Sequence, residues 1–274
     1  MKREKSPRSI PTALTIAGSD SGGGAGIQAD LKTFAALGVH GVTALTSITA
    51  QNPRRVLGIE ACGLPILRGQ LSAVFDELTP AAAKTGMLYS GAIIHTVAEF
   101  FRRHRIPLVV DPVMVSTSKA RLLEPGAIRI LCRQLLPLAT LITPNLSETE
   151  ALLDRKLTSV EDLRKAAKEM HRRFGTAALI KGGHLLGFKE AVDIFYDGNQ
   201  ELLLSAPFVR GIKTHGTGCT YSAAITAYLA KGLSLAESVA KAKEFIAQAI
   251  AESRAIGRHN VLNFFWQHHR RTGF

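Results

Sequence analysis

Short apolar runs alternate with longer amphipathic stretches along this chain, and few architectures accept such a pattern. Six of the runs predict buried strands: ALTIAG (13–18), VTALTSI (42–48), AAAKTG (81–86), PLVVDP (107–112), TLITP (140–144) and AALIKGG (177–183). Between them, apolar residues spaced three and four positions apart predict helices over 26–38 and 163–175. This alternation is typical of β-α units around a mostly parallel sheet, so we predict the α/β class.

Two later segments have a different pattern. The stretch 189–208 contains two strand-like runs around Asp197-Gly198, a dipeptide that favours a tight turn between antiparallel strands. The stretch 217–256 has the apolar spacing of two long helices. We therefore predict a hairpin followed by a helical pair.

Five of the predicted strands end in polar or glycine-rich turns. These turns are Gly18-Ser19-Asp20, Gly86-Met87, Asp111-Pro112, Thr143-Pro144-Asn145 and Lys181-Gly182-Gly183. In an open α/β sheet, ligands bind beyond the carboxyl ends of the strands. The turns should therefore converge on one edge of the sheet and form a binding site there.

Composition argues against several classes of protein. No apolar run among the 274 residues approaches the roughly 20 that a membrane span needs. The net charge is +12, but no stretch interleaves aromatic with basic residues, which argues against nucleic-acid binding. The three cysteines, Cys62, Cys132 and Cys219, have neither disulfide nor zinc spacing, which indicates a reducing compartment, and we expect the cytoplasm.

The first glycine-rich loop is AGSDSGGGAGIQAD (17–30). It follows a predicted strand and opens a predicted helix, but its glycine spacing departs from the dinucleotide fingerprint and no Gly-Lys-Ser/Thr phosphate loop is present. A tight turn that needs glycine for close packing would explain the glycines alone. Asp30 favours more than packing, because a carboxylate one helical turn beyond Gly26 can hydrogen-bond a polar ligand held over the loop.

The second glycine-rich loop is KTHGTGCTYSAA (213–224). Gly216, Gly218 and Cys219 should form the first turn of a helix, where backbone N–H groups lack partners and carry partial positive charge. This arrangement predicts a phosphate-binding anion hole and a lowered pKa for Cys219. The alternative is structural, with Cys219 as a small buried residue at a helix start.

Seven motifs, taken in order, resemble those of the ribokinase superfamily, and most of all its hydroxymethylpyrimidine/phosphomethylpyrimidine kinases of thiamine biosynthesis. The motifs are GSDSGGGAGIQADLKTF, TAQN, KTGML, VVDPVM, ITPNLSE, IKGGH and THGTGC. The resemblance runs from about Ala13 to about Ala251 and implies a ribokinase-like three-layer α/β/α sandwich. We expect one kinase domain over 12–256, a disordered basic lead-in over 1–11, and a tail of undetermined packing over 257–274.

The resemblance also implies a reaction. It is the ATP- and magnesium-dependent phosphorylation of 4-amino-5-hydroxymethyl-2-methylpyrimidine, followed by phosphorylation of the monophosphate to the diphosphate. The residues that it assigns to the pyrimidine are Gly18, Asp30, Gln51, Met87 and Val113. Gln51 offers both a donor and an acceptor, which suits an aminopyrimidine edge. Met87 taken alone would fit an ordinary core position.

On the nucleotide side the resemblance assigns three residues to the ATP phosphates and two to magnesium. The phosphate residues are Asn145, Lys181 and Thr214, and the magnesium residues are Asp111 and Glu148. Hard oxygen ligands suit magnesium, and a lysine neutralises phosphate charge. Glu148 taken alone would fit an ordinary acid in the first turn of a helix.

The resemblance makes the second loop catalytic. Sugar kinases of this superfamily carry Gly-x-Gly-Asp there, with the aspartate as base, whereas this chain has GTGC at 216–219. The resemblance implies that Cys219 faces the substrate hydroxyl and assists its deprotonation as a thiolate. Gly216, Thr217 and Gly218 would supply the N–H groups that stabilise the transferring phosphoryl group.

Two stretches depart from the family pattern. STSKARLL (116–123) lacks a Gly-Asp pair, and GRHNVLNFFWQHHRRTGF replaces a Gly-His-Gly-type ending. The altered loop leaves a pyridoxal or pyridoxine kinase of the same family as an alternative. A non-catalytic pyrimidine-binding protein and a nucleic-acid-binding module are alternatives from other classes. Because dimers are common in this superfamily, we expect a homodimer.

Overall fold

One sheet runs through the centre of the molecule. The computed structural model describes residues 9–115, 122–124, 126–183, 185, 190–209 and 215–266. Within these residues nine strands form the sheet, in the order β3-β2-β1-β4-β5-β6-β7-β8-β9. They are β1 (Thr12–Asp20), β2 (His40–Asn52), β3 (Arg55–Ala61), β4 (Ala82–Thr85), β5 (Leu108–Val110), β6 (Leu141–Ile142), β7 (Ala177–Lys181), β8 (Glu190–Tyr196) and β9 (Glu201–Pro207).

The middle of the sheet is parallel and its two margins are antiparallel. β2, β1, β4, β5, β6 and β7 pair in parallel, whereas β3 lies antiparallel to β2 and β8–β9 form an antiparallel hairpin beside β7. The six predicted strands and the hairpin around Asp197-Gly198 are therefore confirmed. β3 was not predicted, because Val56 and Ile59 are only half-buried and their neighbours are exposed.

Helices cover both faces of the sheet. The helices are α1 (Gly26–Ala36), α2 (Leu64–Glu77), α3 (Gly91–Arg103), α4 (Ala127–Ile130), α5 (Leu146–Leu153), α6 (Val160–Phe174), α7 (Thr217–Ala230) and α8 (Leu235–Ala251). A π-helical turn and a 3₁₀ turn continue α4 through Leu131–Leu135 and Leu136–Leu138. The predicted helices over 26–38 and 163–175 and the final pair are confirmed. In the part of the chain that is described, no helix is both long and apolar enough to span a bilayer.

Two apolar cores lie on opposite faces of the sheet. Leu14 and Ile16 of β1 pack with α2, α3, α5 and α6, whereas Ala13 packs on the other face with α1, α7 and α8. This division follows from the strand geometry, since successive side chains point to opposite faces. The predicted three-layer α/β/α sandwich is therefore confirmed.

The end of the described chain packs against the body. A small hairpin, β10 (Arg254–Ile256) and β11 (His259–Val261), follows α8. Leu262 and Phe264 beyond it are buried in the core that α1, α7 and α8 share. Residues 1–8 of the expected lead-in and 267–274 of the expected tail lie outside the described residues.

Candidate active site

A cavity of about 1050 Å³ lies at the carboxyl edge of the parallel strands. α1 and α7 both begin at this cavity, as expected for ligands that bind beyond strand ends. Most of the residues predicted for the site line it: Gly18, Gln51, Met87, Asp111, Val113, Asn145, Glu148, Lys181, Gly216, Thr217, Gly218 and Cys219. Thr214 and residues 116–121 of the altered loop lie outside the described residues.

One end of the cavity is largely apolar. Met87 forms part of its wall with only 8% of its surface exposed, and its carbonyl oxygen accepts a hydrogen bond of 2.6 Å from Thr46 Oγ1. Val113 and the backbone of Gly18 line the same space. The half-buried carboxamide of Gln51 adds a polar group here. This end therefore suits a flat ring that has a hydrogen-bonding edge.

The glycine loop (20–25) between β1 and α1 is held by the Asp20 carboxylate. Asp20 Oδ1 accepts from the Gly22 amide at 2.8 Å, and Oδ2 accepts from the Gly24 and Ala25 amides at 3.1 and 2.8 Å. Burial opposes ionisation of Asp20, but hydrogen bonds from His215 and from these amides outweigh it and lower the pKa of Asp20. The loop is therefore folded around a carboxylate, which explains its fixed shape without a bound anion.

The two glycine-rich loops touch each other at Gly216. Gly216 has a φ of +84°, and a Cβ there would lie 1.7 Å from the carbonyl oxygen of Gly24. Because no other residue fits so close an approach, glycine is required at this position. Gly216 is also the N-cap residue of α7, and as a glycine it provides no side-chain hydrogen bond to the helix.

The start of α7 faces two charged groups, which lie at the ends of β5 and β7. A Cβ on Gly218 would lie 3.3 Å from Lys181 Nζ and 3.7 Å from Asp111 Oδ2. Lys181 Nζ donates to Asp111 Oδ1 at 2.9 Å, and Ser222 Oγ of α7 donates to Asp111 Oδ2 at 3.3 Å. Helix-start amides and an ammonium thus converge on one place, as an anion requires.

Glu148 and Asn145 complete this end of the cavity. They form a capping box at the start of α5, in which the Asn145 amide donates to Glu148 Oε2 at 2.8 Å and the Glu148 amide donates to Asn145 Oδ1 at 2.9 Å. Burial raises the pKa of Glu148 to about 7; Lys181 opposes the rise and Asp111 adds to it. A further cation next to Glu148 would stabilise the ionised form of this carboxyl group.

The protonation state predicted for Cys219 is wrong. Burial raises the pKa of the Cys219 thiol to about 12, although Lys84 and the Gly26 amide both favour the thiolate. The negative charges of Asp30 and Asp111 add to the rise. The helix start was expected to lower this pKa, but desolvation and two nearby carboxylates are stronger than the helix field. Cys219 is therefore a neutral thiol near pH 7.

Asp30 does not line the cavity, so its predicted direct contact with substrate does not fit its position. The side chain is fully buried and forms an ion pair of 2.8 Å with Lys84 Nζ, which is fully buried as well. Thr15 Oγ1 donates to the same carboxylate oxygen at 2.6 Å. Lys84, in contrast, borders the cavity. Asp30 is therefore linked to the cavity wall by its ion pair with Lys84.

Sequence reasoning missed several titratable side chains that border the cavity, among them Asp20, Lys84 and His215. Lys84 left a signal, because a lysine inside the small, apolar strand AAAKTG must be buried and paired. Asp20 and His215 lie inside motifs that were singled out for their glycines. Their roles depend on contacts across 195 positions of sequence, which spacing does not reveal.

Comparisons with known proteins agree with this geometry. The family model described as phosphomethylpyrimidine kinase matches residues 20–263. The hydroxymethylpyrimidine/phosphomethylpyrimidine kinase of Rhizobium meliloti is 48% identical over 240 residues, which cover 87% of this chain and 90% of that protein. The thiamine biosynthesis bifunctional protein ThiED of Geobacter sulfurreducens is 44% identical over 254 residues, 92% of this chain but only 52% of that protein.

A solved structure extends the comparison to the fold. The pyridoxal kinase of Bacillus subtilis, solved as an ADP complex, superposes with a TM-score of 0.88 at 41% identity, covering 95% of this chain and 99% of that one. Sequence and fold therefore agree on the group of kinases to which this cavity corresponds. The chain belongs to the phosphomethylpyrimidine kinase family.

Proposed function

We propose that this protein transfers the γ-phosphoryl group of ATP to 4-amino-5-hydroxymethyl-2-methylpyrimidine and then to the resulting monophosphate. One observation carries the proposal. A single cavity is lined by Met87 and Gln51, which suit a polar-edged ring, and also by Lys181 and the start of α7, which suit a phosphate. The ring and the phosphates can therefore be held together in one cavity. Family membership supports the same reading.

The residues of the chain would act mainly by positioning and by neutralising charge. Met87 and Val113 would hold the ring faces, and Gln51 its polar edge. The amides of the GTGC turn (216–219) and the Lys181 ammonium would stabilise the phosphoryl group in transit. In phosphoryl transfer such electrostatic contacts contribute more than base catalysis does. A neutral Cys219 beside the substrate hydroxyl is compatible with this mechanism.

Magnesium fits the part of the cavity lined by Asp111, Glu148 and Lys181. Among the described residues no group of three or more His, Cys, Asp or Glu side chains could enclose a metal ion. Magnesium, however, needs only one or two carboxylates together with waters and substrate phosphates. Asp111 and Glu148 offer that set, and Glu148 would gain from a cation, since burial disfavours its charge. When bound, the ion would neutralise phosphate charge.

A pyridoxal kinase of the same family is the second candidate. The observation that favours it is the TM-score of 0.88 with the Bacillus subtilis pyridoxal kinase. The carboxamide of Gln51 favours the aminopyrimidine, because it can pair with an amino group and an adjacent ring nitrogen together. Fold similarity alone does not separate these two substrates.

A coupled assay of ADP formation separates the candidates. It compares the hydroxymethylpyrimidine, its monophosphate and pyridoxal at equal concentrations with ATP and magnesium. We expect both pyrimidines to be phosphorylated, with kcat/KM at least about tenfold above that for pyridoxal. Preference for pyridoxal would support the second candidate. Binding of the pyrimidine without any ADP formation would indicate a non-catalytic protein.

Two lysine variants control for contaminating kinases in this assay. Lys181→Ala should lower turnover by at least about a hundredfold, because it removes the charge at the phosphates. Lys156 lies just after α5 and its side chain is 86% exposed, so Lys156→Ala should retain full turnover. Equal activity of the two variants would show that the measured turnover does not arise in this cavity.

Location and assembly belong to the same proposal. We infer a cytoplasmic enzyme, since ATP and the monophosphate are small charged metabolites and the cysteines at 62, 132 and 219 are unpaired in the structure. We infer a homodimer because dimers are common in this superfamily. Light scattering of the purified protein, run with and without ATP, measures its mass directly.

A further inference from the structure

We propose that His215 is a positioning residue that fixes the carboxamide orientation of Gln51, and so decides which hydrogen-bonding edge of a ring the cavity accepts. This inference rests on the proposed function and deepens it, because it concerns the discrimination between ring substrates. It depends on three described contacts around Gln51.

His215 Nε2 must carry a hydrogen. It lies 3.0 Å from Asp20 Oδ2, and that carboxylate also accepts three backbone amides of the glycine loop. A carboxylate accepts hydrogen bonds and cannot donate them while it is ionised. Nε2 is therefore the donor, and this holds for the neutral ring with its hydrogen on Nε2 and equally for the imidazolium.

The same nitrogen lies 3.0 Å from the carboxamide nitrogen of Gln51. With the carboxamide in this orientation, two donors would face each other, the His215 Nε2–H and the Gln51 NH₂ group. A carboxamide can make a half turn that exchanges its oxygen and nitrogen, and its orientation is assigned from its hydrogen bonds. With the oxygen next to His215, the Nε2–H is shared between the Asp20 carboxylate and Gln51 Oε1.

Thr49 supports the same orientation independently. Its one hydroxyl hydrogen donates to the Ser19 carbonyl oxygen at 2.8 Å. Thr49 Oγ1 also lies 3.4 Å from the carboxamide atom assigned as Gln51 Oε1. Because the hydroxyl hydrogen of Thr49 is already donated to Ser19, Thr49 can only accept a hydrogen bond from that atom. The carboxamide nitrogen must therefore face Thr49. Two contacts thus place the acceptor of Gln51 on the His215 side and its donor on the Thr49 side.

The imidazole ring has little room to move. The His215 side chain is 12% exposed, and a Cβ on Gly24 would lie 2.9 Å from its Cδ2. The ring therefore packs directly on the glycine loop. Because it is held by packing as well as by Asp20, it can impose an orientation on Gln51 instead of adapting to it.

A fixed carboxamide selects one order of donor and acceptor. The 4-amino pyrimidine has a donor, the amino group, next to an acceptor, the unprotonated ring nitrogen. In one placement of the ring, the amino group meets the Gln51 oxygen and the ring nitrogen meets the Gln51 NH₂ group. The 4-oxo analogue presents a carbonyl next to a ring N–H, which is the reverse order. A carboxamide that is free to turn could bind either edge. His215 therefore excludes the reversed edge.

The test compares kcat/KM for the 4-amino pyrimidine and its 4-oxo analogue in wild-type protein and His215→Leu. We expect the wild type to favour the amino compound by at least about a hundredfold. His215→Leu should reduce that preference at least about tenfold. If His215 had a purely structural role, its loss would lower kcat/KM for both compounds by the same factor. An unchanged ratio of the two kcat/KM values would therefore overturn the inference. His215→Gln retains an N–H donor toward Asp20, so it should restore most of the preference.

Ser21→Ala is the matched control. Ser21 Oγ donates to the Gln51 carbonyl oxygen and accepts from the Gln51 amide, both at 2.7 Å. The variant therefore loosens the contact between the glycine loop and the end of β2 but does not touch the carboxamide. Its substrate preference should equal that of the wild type. A loss as large as that of His215→Leu would show that loop rigidity, not carboxamide orientation, sets the preference.

A second measurement does not depend on turnover. Long-range ¹H–¹⁵N spectra of the ligand-free protein should show His215 Nε2 protonated near neutral pH, and a bare Nε2 would overturn the inference. A wild-type protein that phosphorylates pyridoxal but neither pyrimidine would instead refute the proposed function. The spectrum of His215 would still decide the hydrogen-bond order on its own.

Discussion

Cys219 shows how one residue's surroundings can reverse the expectation from its position. It lies in the first turn of α7, where the helix favours a thiolate, but burial raises its pKa to about 12. The neutral thiol therefore predominates at pH 8. The thiolate fraction grows as pH rises toward that pKa.

We therefore predict slow alkylation of Cys219 by iodoacetamide, with a rate that rises about tenfold per pH unit from 7 to 10. Peptide mass spectrometry measures the rate at each pH. A short cysteine peptide of ordinary pKa is the control, and its rate should level off above pH 9. A plateau for Cys219 near pH 8 would mean that the thiolate predominates after all.

Asp30 makes a related point about prediction at the scale of single residues. Its carboxylate could be placed at the start of α1 from the sequence, but its partner could not. Lys84 lies 54 positions away, and the 2.8 Å pair forms only because β4 lies beside β1. A sequence motif identifies the reactive group, whereas strand pairing decides whether that group meets solvent, substrate or another charge.

The two ends of α7 allow one substitution to be compared in two surroundings. Gly216 before the helix and Gly232 after it have φ values of +84° and +83°. A Cβ on Gly216 would collide with Gly24, whereas nothing lies within 4 Å of a Cβ on Gly232. The backbone strain of an alanine is thus equal at both sites, and only the clash differs.

We predict that Gly216→Ala lowers kcat by at least about a hundredfold, because the amides of the GTGC turn are displaced. Gly232→Ala should keep wild-type turnover and lose about 1 kcal/mol of unfolding free energy from left-handed strain. Steady-state assays and urea denaturation measure the two effects. Similar kinetics for both variants would argue against an anion hole at the start of α7.

At the scale of elements, buried periodic segments were predictable and edge segments were not. β1, β4 and β5 are almost entirely buried in the parallel sheet, and the apolar runs that they contain explain why the sequence identifies them. β3 exists only because it pairs with β2, and its own residues are mostly exposed. The converging strand ends indicated where the cavity lies. The contacts among Asp20, His215 and Gln51 required the folded chain.

At the scale of the whole molecule, the segment after α8 is part of the hydrophobic core that α1, α7 and α8 share. Phe264 is 8% exposed within the core of α1, α7 and α8, whereas its neighbour Phe265 is 43% exposed. We predict that Phe264→Ala lowers the free energy of unfolding by about 3 kcal/mol, since it leaves a cavity. Phe265→Ala should change it by less than about 1 kcal/mol. Equal urea midpoints for the two variants would contradict this packing.

The cavity wall draws on residues from Ala17 to Asn260, so nearly the whole chain must be present before it closes. During synthesis, β1, β2 and the ring-holding side chains leave the ribosome long before α7 and the hairpin that follows α8. A nascent chain could therefore shape the ring-binding end while still lacking the helix that receives the phosphate. The enzyme should gain activity only in the last moments of translation, and unfinished chains should not consume ATP.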